Sequence, residues 1–279
     1  MDVARDHGGG LDAARARYGG ERWIDLSTGI NPEPYPLPDV PDRAWAALPD
    51  RHAEDALLTA ARTFWRVPDD AAILAAPGAS ALIARLPTIA PSGPIHIPGP
   101  TYNEHAAAFR QAGHEIGLGG RTTVLVHPNN PDGRLHAAPK TPFAVIDESF
   151  CDTLPEASHI GMADRPGLVI LKSFGKFWGL AGLRLGFAIG HPETLAPLRE
   201  ALGPWPVAGP ALTIGTVALG DMAWAAATRV RLTRDAARID DLMAAHGVLV
   251  GGTDLFRLYD VTDADAFRDR LAAHQIWSR

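Results

Sequence analysis

Lys176 sits in the segment Ser173-Phe174-Gly175-Lys176-Phe177-Trp178-Gly179-Leu180-Ala181-Gly182-Leu183-Arg184, directly after an apolar run. Among glycines, aromatics and leucines an ammonium is costly to keep charged. Desolvation lowers its pKa and frees the amine as a nucleophile toward carbonyl carbon. Ser173 and Arg184 carry donors that suit a phosphate, the arginine through its forked guanidinium. Read in isolation, Lys176 is equally a loop lysine whose head lies in water. A nucleotide-binding P-loop is excluded: Ile170 stands where that motif needs its first glycine, and Phe177 where it needs Ser or Thr.

Two further stretches place polar residues at the ends of apolar runs. Val145-Ile146-Asp147-Glu148-Ser149-Phe150 ends in a carboxylate. Asp147 is suited to keeping a proton on a heterocyclic nitrogen, or else to capping the segment that follows. His127-Pro128-Asn129-Asn130-Pro131-Asp132-Gly133 ends in a tight turn, where Asn130 either donates to a ligand oxygen or stabilises the turn itself. The 11 histidines form no His-x-x-x-His pair and there is no Cys-x-x-Cys pair, so zinc-site spacing is missing and no metal is expected.

The elements that must position these residues follow from periodicity. Ala71 to Ala75, Ile95 to Ile97, Thr123 to His127, Ala144 to Ile146 and Leu168 to Leu171 are short apolar runs bounded by turn residues and read as buried strands. Helical patterns cover Ala53 to Arg66, Ser80 to Ile89 and Tyr102 to Ala112. Strands alternating with helices predict an α/β fold, a mostly parallel sheet covered on both faces, with ligands bound beyond the carboxyl ends of the strands. After Gly190 the rhythm changes. Ala208 to Ala245 is one long helical stretch, followed by strand candidates Gly247 to Val250 and Leu255 to Tyr259 and a helix from Ala264 to His274. The expected organisation is an N-terminal arm (1–35), a large domain (36–215) and a smaller α+β domain (216–279).

Composition narrows the partners. With 46% hydrophobic and 21% charged residues, 279 residues suffice for a large core and a second lobe. A net charge of -6 and the absence of a basic run argue against nucleic acid. No apolar stretch is long enough to span a bilayer, and the first residues lack the layout of a signal peptide, so no membrane partner is expected. One cysteine, Cys151, excludes an intrachain disulfide and fits a reducing cytoplasm.

The ordered set Asn130, Asp147, Lys176 and Arg184 resembles the fold-type I pyridoxal-phosphate enzymes of the class I/II aminotransferase group. Within that group the chain is most similar to the threonine-phosphate decarboxylases of cobalamin biosynthesis, with histidinol-phosphate aminotransferases as nearest relatives. The resemblance implies a three-layer α/β/α large domain, pyridoxal 5'-phosphate as cofactor, and a homodimer. It assigns Lys176 as the amine that carries the cofactor and as proton donor. Gly78, Ala79 and Ser80 of Pro77-Gly78-Ala79-Ser80 form the phosphate cup with Ser173 and Arg184; Tyr102 stacks on the ring, Asn130 meets its phenolic oxygen, and Asp147 its nitrogen. A helix cap for Ser80 and a packed core aromatic for Tyr102 are the plainer alternatives.

Asp6-His7-Gly8-Gly9 and Asp25-Leu26-Ser27-Thr28-Gly29-Ile30-Asn31-Pro32 resemble the decarboxylases' opening pattern and imply that His7, Gly8 and Asn31 bind substrate phosphate; Arg279 matches one of the family's phosphate-binding arginines. The segment Gly203-Pro204-Trp205-Pro206-Val207 with Asp221 and Trp224 resembles the same family. Four positions depart from the broader group: Phe150 where a tyrosine is frequent, Gly175 for serine, Asp132 for threonine, and Leu48 where a neighbouring subunit's tyrosine often touches the cofactor. The chain also ends at Arg279 where relatives continue with a further substrate-binding arginine, so the small domain is expected to be truncated and to expose a sheet edge. The implied reaction is decarboxylation of L-threonine O-3-phosphate to (R)-1-aminopropan-2-ol O-2-phosphate. An aminotransferase acting on histidinol phosphate or a similar amino acid, and a catalytically inactive homologue, are the alternatives.

Overall fold

The computed structural model describes residues 8–279. Along the chain, α1 (Leu11–Tyr18), β1 (Ile24–Asp25), α2 (Asp42–Ala46) and α3 (Arg51–Trp65) precede β2 (Ala72–Ala76), α4 (Ala79–Ile83), β3 (Ile95–His96) and α5 (Asn103–Gln111). Then come β4 (Thr122–Val126), β5 (Phe143–Asp147), β6 (Leu168–Ser173), β7 (Gly186–Gly190), α6 (Pro192–Leu202), α7 (Gly209–Gly220) and α8 (Met222–Met243). The chain finishes with β8 (Val248–Thr253), β9 (Phe256–Asp260), α9 (Ala264–Ala273) and β10 (Ile276–Trp277).

A six-stranded sheet in the order β2-β7-β6-β5-β4-β3 forms the middle layer. β3 to β6 run parallel, while β7 runs antiparallel to both β2 and β6. Strands β4, β5 and β7 are buried along their whole length, as a sheet covered on both faces requires. One core cluster packs α3, α7 and α8 side chains such as Leu57, Leu212 and Leu232 on one face. Another packs Leu82, Phe109 and Leu195 of α4, α5 and α6 on the opposite face. The result is the three-layer α/β/α architecture.

α3 shows how local sequence makes an element. Asp50 caps it by accepting from the Ala53 amide at 2.9 Å, and Leu57, Ala61, Phe64 and Trp65 recur on one face and are buried. The predicted strands are recovered within a residue or two, except that the one expected over Gly247 to Val250 runs three residues further, to Thr253. Two helical expectations change. The pattern over Ser80 to Ile89 splits into α4 and a 3-10 turn at Leu86–Thr88, where Pro87 cannot continue a helix. The long stretch Ala208 to Ala245 is two helices bent by 76° at Asp221, whose side chain accepts from the Trp224 amide and restarts the helix. The N-terminal arm docks on the C-terminal elements: β1 pairs in parallel with β10, and Tyr18 donates to Asp269 at 2.5 Å.

β8 and β9 form a separate two-stranded sheet, with Val248, Leu249 and Val250 exposed. Among the described residues no single helix is long and apolar enough to cross a membrane.

Candidate functional site

Sheet register gathers the chemistry at one edge. Val126 pairs with Asp147, and Asp147 with Leu171, so the carboxyl ends of β4, β5 and β6 lie side by side. Because β7 is antiparallel, its first residue Gly186 pairs with both Ser173 and Ala76. That reversal returns Arg184 to the same edge, next to Pro77-Gly78 at the end of β2.

Lys176 is half-buried in the loop between β6 and β7, flanked by Phe174, Phe177 and Trp178, all with no exposed surface. Trp178 stacks on Phe174 at 5.0 Å and on Trp224 at 5.3 Å, which nails the loop to the core. The Lys176 amine donates to the Thr28 carbonyl at 3.1 Å and stands 5.2 Å from the centre of the Phe150 ring. Burial pushes its pKa below the ordinary lysine range; Asp147 opposes that shift and Arg279 adds to it. An amine so placed is a better nucleophile and a readier proton carrier than an exposed lysine.

Asp147, 3% exposed, ends β5. Its Oδ2 lies 2.8 Å from His105 Nε2, and its Oδ1 accepts from the Ser149 amide at 3.0 Å and the Ser149 hydroxyl at 2.5 Å. Burial alone raises the carboxyl's pKa; the bonds from His105 and Ser149 outweigh it and hold the group below the usual carboxylate range. An ionised Asp147 accepts only, so the His105 nitrogen facing it carries the proton. Sequence reasoning missed His105. Its signal was the spacing from Tyr102: three residues apart at the start of α5, the two rings meet edge to face at 6.1 Å. Asp147, Arg184 and Arg279 all act on the Tyr102 hydroxyl, so this ring shares their site; burial, the larger effect, raises its pKa.

Gly78 is buried with φ +86, and a Cβ there would lie 2.6 Å from Arg184 Nη2. Only glycine lets the guanidinium settle against the turn that leads into the Ala79 and Ser80 amides. Arg184 itself has φ 52 and donates through Nη1 to the Ala181 carbonyl at 3.1 Å. The Ser173 hydroxyl accepts from the Gly175 amide at 3.3 Å. Hydroxyl, guanidinium and turn amides thus converge, as an anion requires.

Asn129 and Asn130 divide two tasks. Asn129 is fully buried and ties two turns together, accepting from Thr101 at 2.6 Å and donating to Pro100 at 3.0 Å and Asp132 at 2.7 Å. Asn130 is half-buried and, among the described residues, its carboxamide has no hydrogen-bond partner, which leaves it available to a ligand.

The residues assigned to substrate phosphate meet mixed outcomes. His7 lies outside the described residues. Gly8 presses against the Ser27-Thr28 backbone, where a Cβ would come 2.2 Å from the Ser27 carbonyl oxygen, so it adjoins the carbonyl that holds Lys176. Arg279 acts electrostatically on both Lys176 and Tyr102. Asn31 is 2% exposed and engaged on both sides: Nδ2 donates to the Phe177 carbonyl at 2.9 Å, and Oδ1 accepts from the Glu33 amide at 3.1 Å and Arg231 at 2.6 Å. Its place is beside the Lys176 loop.

A group bearing a phosphate, a basic ring nitrogen and an aldehyde finds a complement here: the cradle that a Gly78 Cβ would fill, the ionised Asp147 and the neutral-leaning amine of Lys176. Pyridoxal 5'-phosphate is such a group, and the residues fit it. The family described as "Aminotransferase class I and II" matches residues 127–277. A threonine-phosphate decarboxylase from Sinorhizobium sp. is 39% identical over 98% of this chain and 89% of its own length. One from Pseudomonas aeruginosa is 39% identical with the same coverage. Among solved structures, histidinol-phosphate aminotransferase from Sinorhizobium meliloti in complex with pyridoxal-5'-phosphate superposes with a TM-score of 0.79 at 18% identity, covering 99% of this chain and 87% of that one. On sequence and fold together, the chain belongs to the class I and II aminotransferase family of pyridoxal-phosphate enzymes.

Proposed function

We propose that the chain is a pyridoxal-phosphate-dependent threonine-phosphate decarboxylase, a carbon-carbon lyase that converts L-threonine O-3-phosphate to (R)-1-aminopropan-2-ol O-2-phosphate and carbon dioxide in cobalamin biosynthesis. The observation that carries this reading is 39% identity to decarboxylases across 98% of the chain, which takes in the Gly8 and Asn31 segments as well as the Lys176 loop.

When bound, the cofactor supplies an electron sink for the pair left behind as carbon dioxide departs. The protein's contribution is orientation, charge and a proton. Arg184, Ser173 and the amides of Ala79 and Ser80 anchor the cofactor's phosphate beside Gly78. Tyr102 would cover one face of the ring, and Asn130 would donate to its phenolic oxygen. Asp147, kept ionised by His105 and Ser149, holds a proton on the ring nitrogen. His7, Gly8, Asn31 and Arg279 receive the substrate's phosphate at a distance from the reacting carbon. Binding that remote group would fix the substrate's orientation in the site and therefore which bond breaks. Lys176 Nζ then delivers the proton to Cα.

The same reading divides the chain into an arm (1–35), a large domain (36–215) and a small domain (216–279), and makes it a cytoplasmic homodimer. Exposed Leu37, Trp45 and Leu48 around α2 supply an apolar surface for the second copy, and the one cysteine is a buried free thiol.

The test is incubation with pyridoxal phosphate and L-threonine O-3-phosphate, with and without 2-oxoglutarate, followed by mass spectrometry. Aminopropanol phosphate formed without the oxoacid is the expected product. Glutamate formed only with the oxoacid assigns an aminotransferase instead, and a cofactor held on Lys176 with no turnover of any phosphorylated amino acid assigns an inactive homologue.

A further inference from the structure

Asn31 makes contacts that a substrate ligand alone does not need. Its backbone amide donates to the Lys176 carbonyl at 3.1 Å, and its side-chain Nδ2 donates to the next carbonyl, Phe177, at 2.9 Å. Four residues on, the Tyr35 amide donates to Trp178 at 2.9 Å. The 31–35 segment therefore runs along the backbone of 176–178 and sets where Lys176 begins. The carboxamide holds this position only in one orientation, because a carbonyl accepts and its NH2 end must face Phe177. Two donors fix that orientation by holding Oδ1: the Glu33 amide at 3.1 Å and, more closely, Arg231 on α8. Its Nη2 donates to Asn31 Oδ1 at 2.6 Å, and a guanidinium cannot bond the NH2 end of an amide. Arg231 is largely buried, 16% exposed, and its other nitrogens pair with Glu33 and Asp235 at 3.2 Å, so it is held before it holds Asn31.

We propose that Arg231 is a positioning residue for Lys176, acting through Asn31: it locks the carboxamide so that Nδ2 clamps the loop that presents the amine. The inference rests on Lys176 carrying the cofactor and is independent of which phosphorylated amino acid is the substrate. Among the described residues the charges that act on Lys176 are Asp147 and Arg279, not Arg231. Loosening the clamp gives Lys176 Nζ more access to water, which favours its protonated form whether the nitrogen is free or joined to the cofactor.

The experiment uses the holoenzyme without substrate and follows the pH midpoint at which the visible absorption band of the bound cofactor changes. R231M is expected to raise that midpoint by about half a unit or more, and to lower kcat about tenfold with little change in KM. E33Q and D235N each leave the other carboxylate to hold Arg231, keep the Arg231–Asn31 bond, and are expected to leave the midpoint in place. In an N31A background R231M is expected to add nothing, since the residue through which it acts is gone. If R231M does not retain cofactor, R231K takes its place; it keeps one donor and must fall between the unmodified enzyme and N31A. An unmoved midpoint in R231M, an equal shift in E33Q or D235N, or additive effects of N31A and R231M each overturn the proposal. Because the midpoint is read without substrate, failure to turn over threonine phosphate leaves this test intact.

Discussion

Lys172 and Lys176 lie four residues apart on either side of the end of β6, and the fold treats them in opposite ways. Lys172 is 1% exposed, yet it meets Glu148 at 2.7 Å and Asp152 at 3.6 Å. Those carboxylates outweigh its desolvation and raise its pKa, while Lys172 in turn holds Glu148 below its usual range. Lys176 is less buried and, among the described residues, bonds the Thr28 carbonyl and lies over the Phe150 ring; desolvation outweighs the pull of Asp147, and its pKa falls. Burial thus does not decide which lysine is reactive; partners do. Lys172 is a structural cation that joins β6 to the segment after β5, and Lys176 is an amine kept short of counter-charge.

The largest expected effect separates the two roles at once. K176A should lower turnover on the order of 10⁴-fold while leaving denaturant stability close to that of the unmodified protein. Borohydride reduction and peptide mass spectrometry should find the cofactor on Lys176 only in the unmodified chain. D147N comes next: it keeps the size of the side chain but removes the charge proposed to hold the ring proton, and should cost kcat about 10²–10³-fold, measured at saturating cofactor.

K172M should show the reverse pattern to K176A. Leaving Glu148 and Asp152 buried without their cation should destabilise the protein by about 3–5 kcal/mol, read from urea unfolding. A stable K172M, or a K176A that unfolds, breaks the comparison. The pH dependence sharpens it: a lysine whose folded pKa is raised contributes fully below its unfolded value of about 10.4 and loses that contribution as pH climbs through the folded value. Alkaline unfolding of the unmodified protein should therefore begin above that range, and the K172M variant should lack this step.

The smallest effect concerns His105. Asp147 is depressed in the folded state, so its ionised form stabilises the fold above the unfolded value of about 3.9, and the contribution is lost as pH falls through the depressed folded value. H105F removes the hydrogen bond while burial remains. Acid release of the cofactor, followed by absorbance, should shift to higher pH by about one unit; an unmoved release curve would show that Ser149 suffices.

Much of the site was legible in the chain because its polar residues follow directly on buried strands, and a strand ending fixes where the next residue lies. Asp147 after Ile146, Asn130 in its turn and Lys176 after the 168–171 run were found this way, and the structure places each at the expected sheet edge. Partners across the fold were not legible. Nothing local links His105 to Asp147, Thr28 to Lys176 or Arg231 to Asn31, because those pairs are separated by 42, 148 and 200 residues. Asn31 was assigned to substrate from resemblance; its clamp on the Lys176 loop depends on a helix two hundred residues away.

The sequence by itself determined the alternation of strands and helices, the dehydrating surroundings of Lys176 and the polar residues that end the strands, since hydrophobic period and turn chemistry are local properties. Tertiary structure decided the rest. The antiparallel insertion of β7 brings Arg184 back beside Gly78, and the pairing of β1 with β10 brings Gly8 and Arg279 toward one site. It also chose between two lysines of the same type. A pKa is set by the charges that the fold brings within reach, and no local pattern in the chain encodes those.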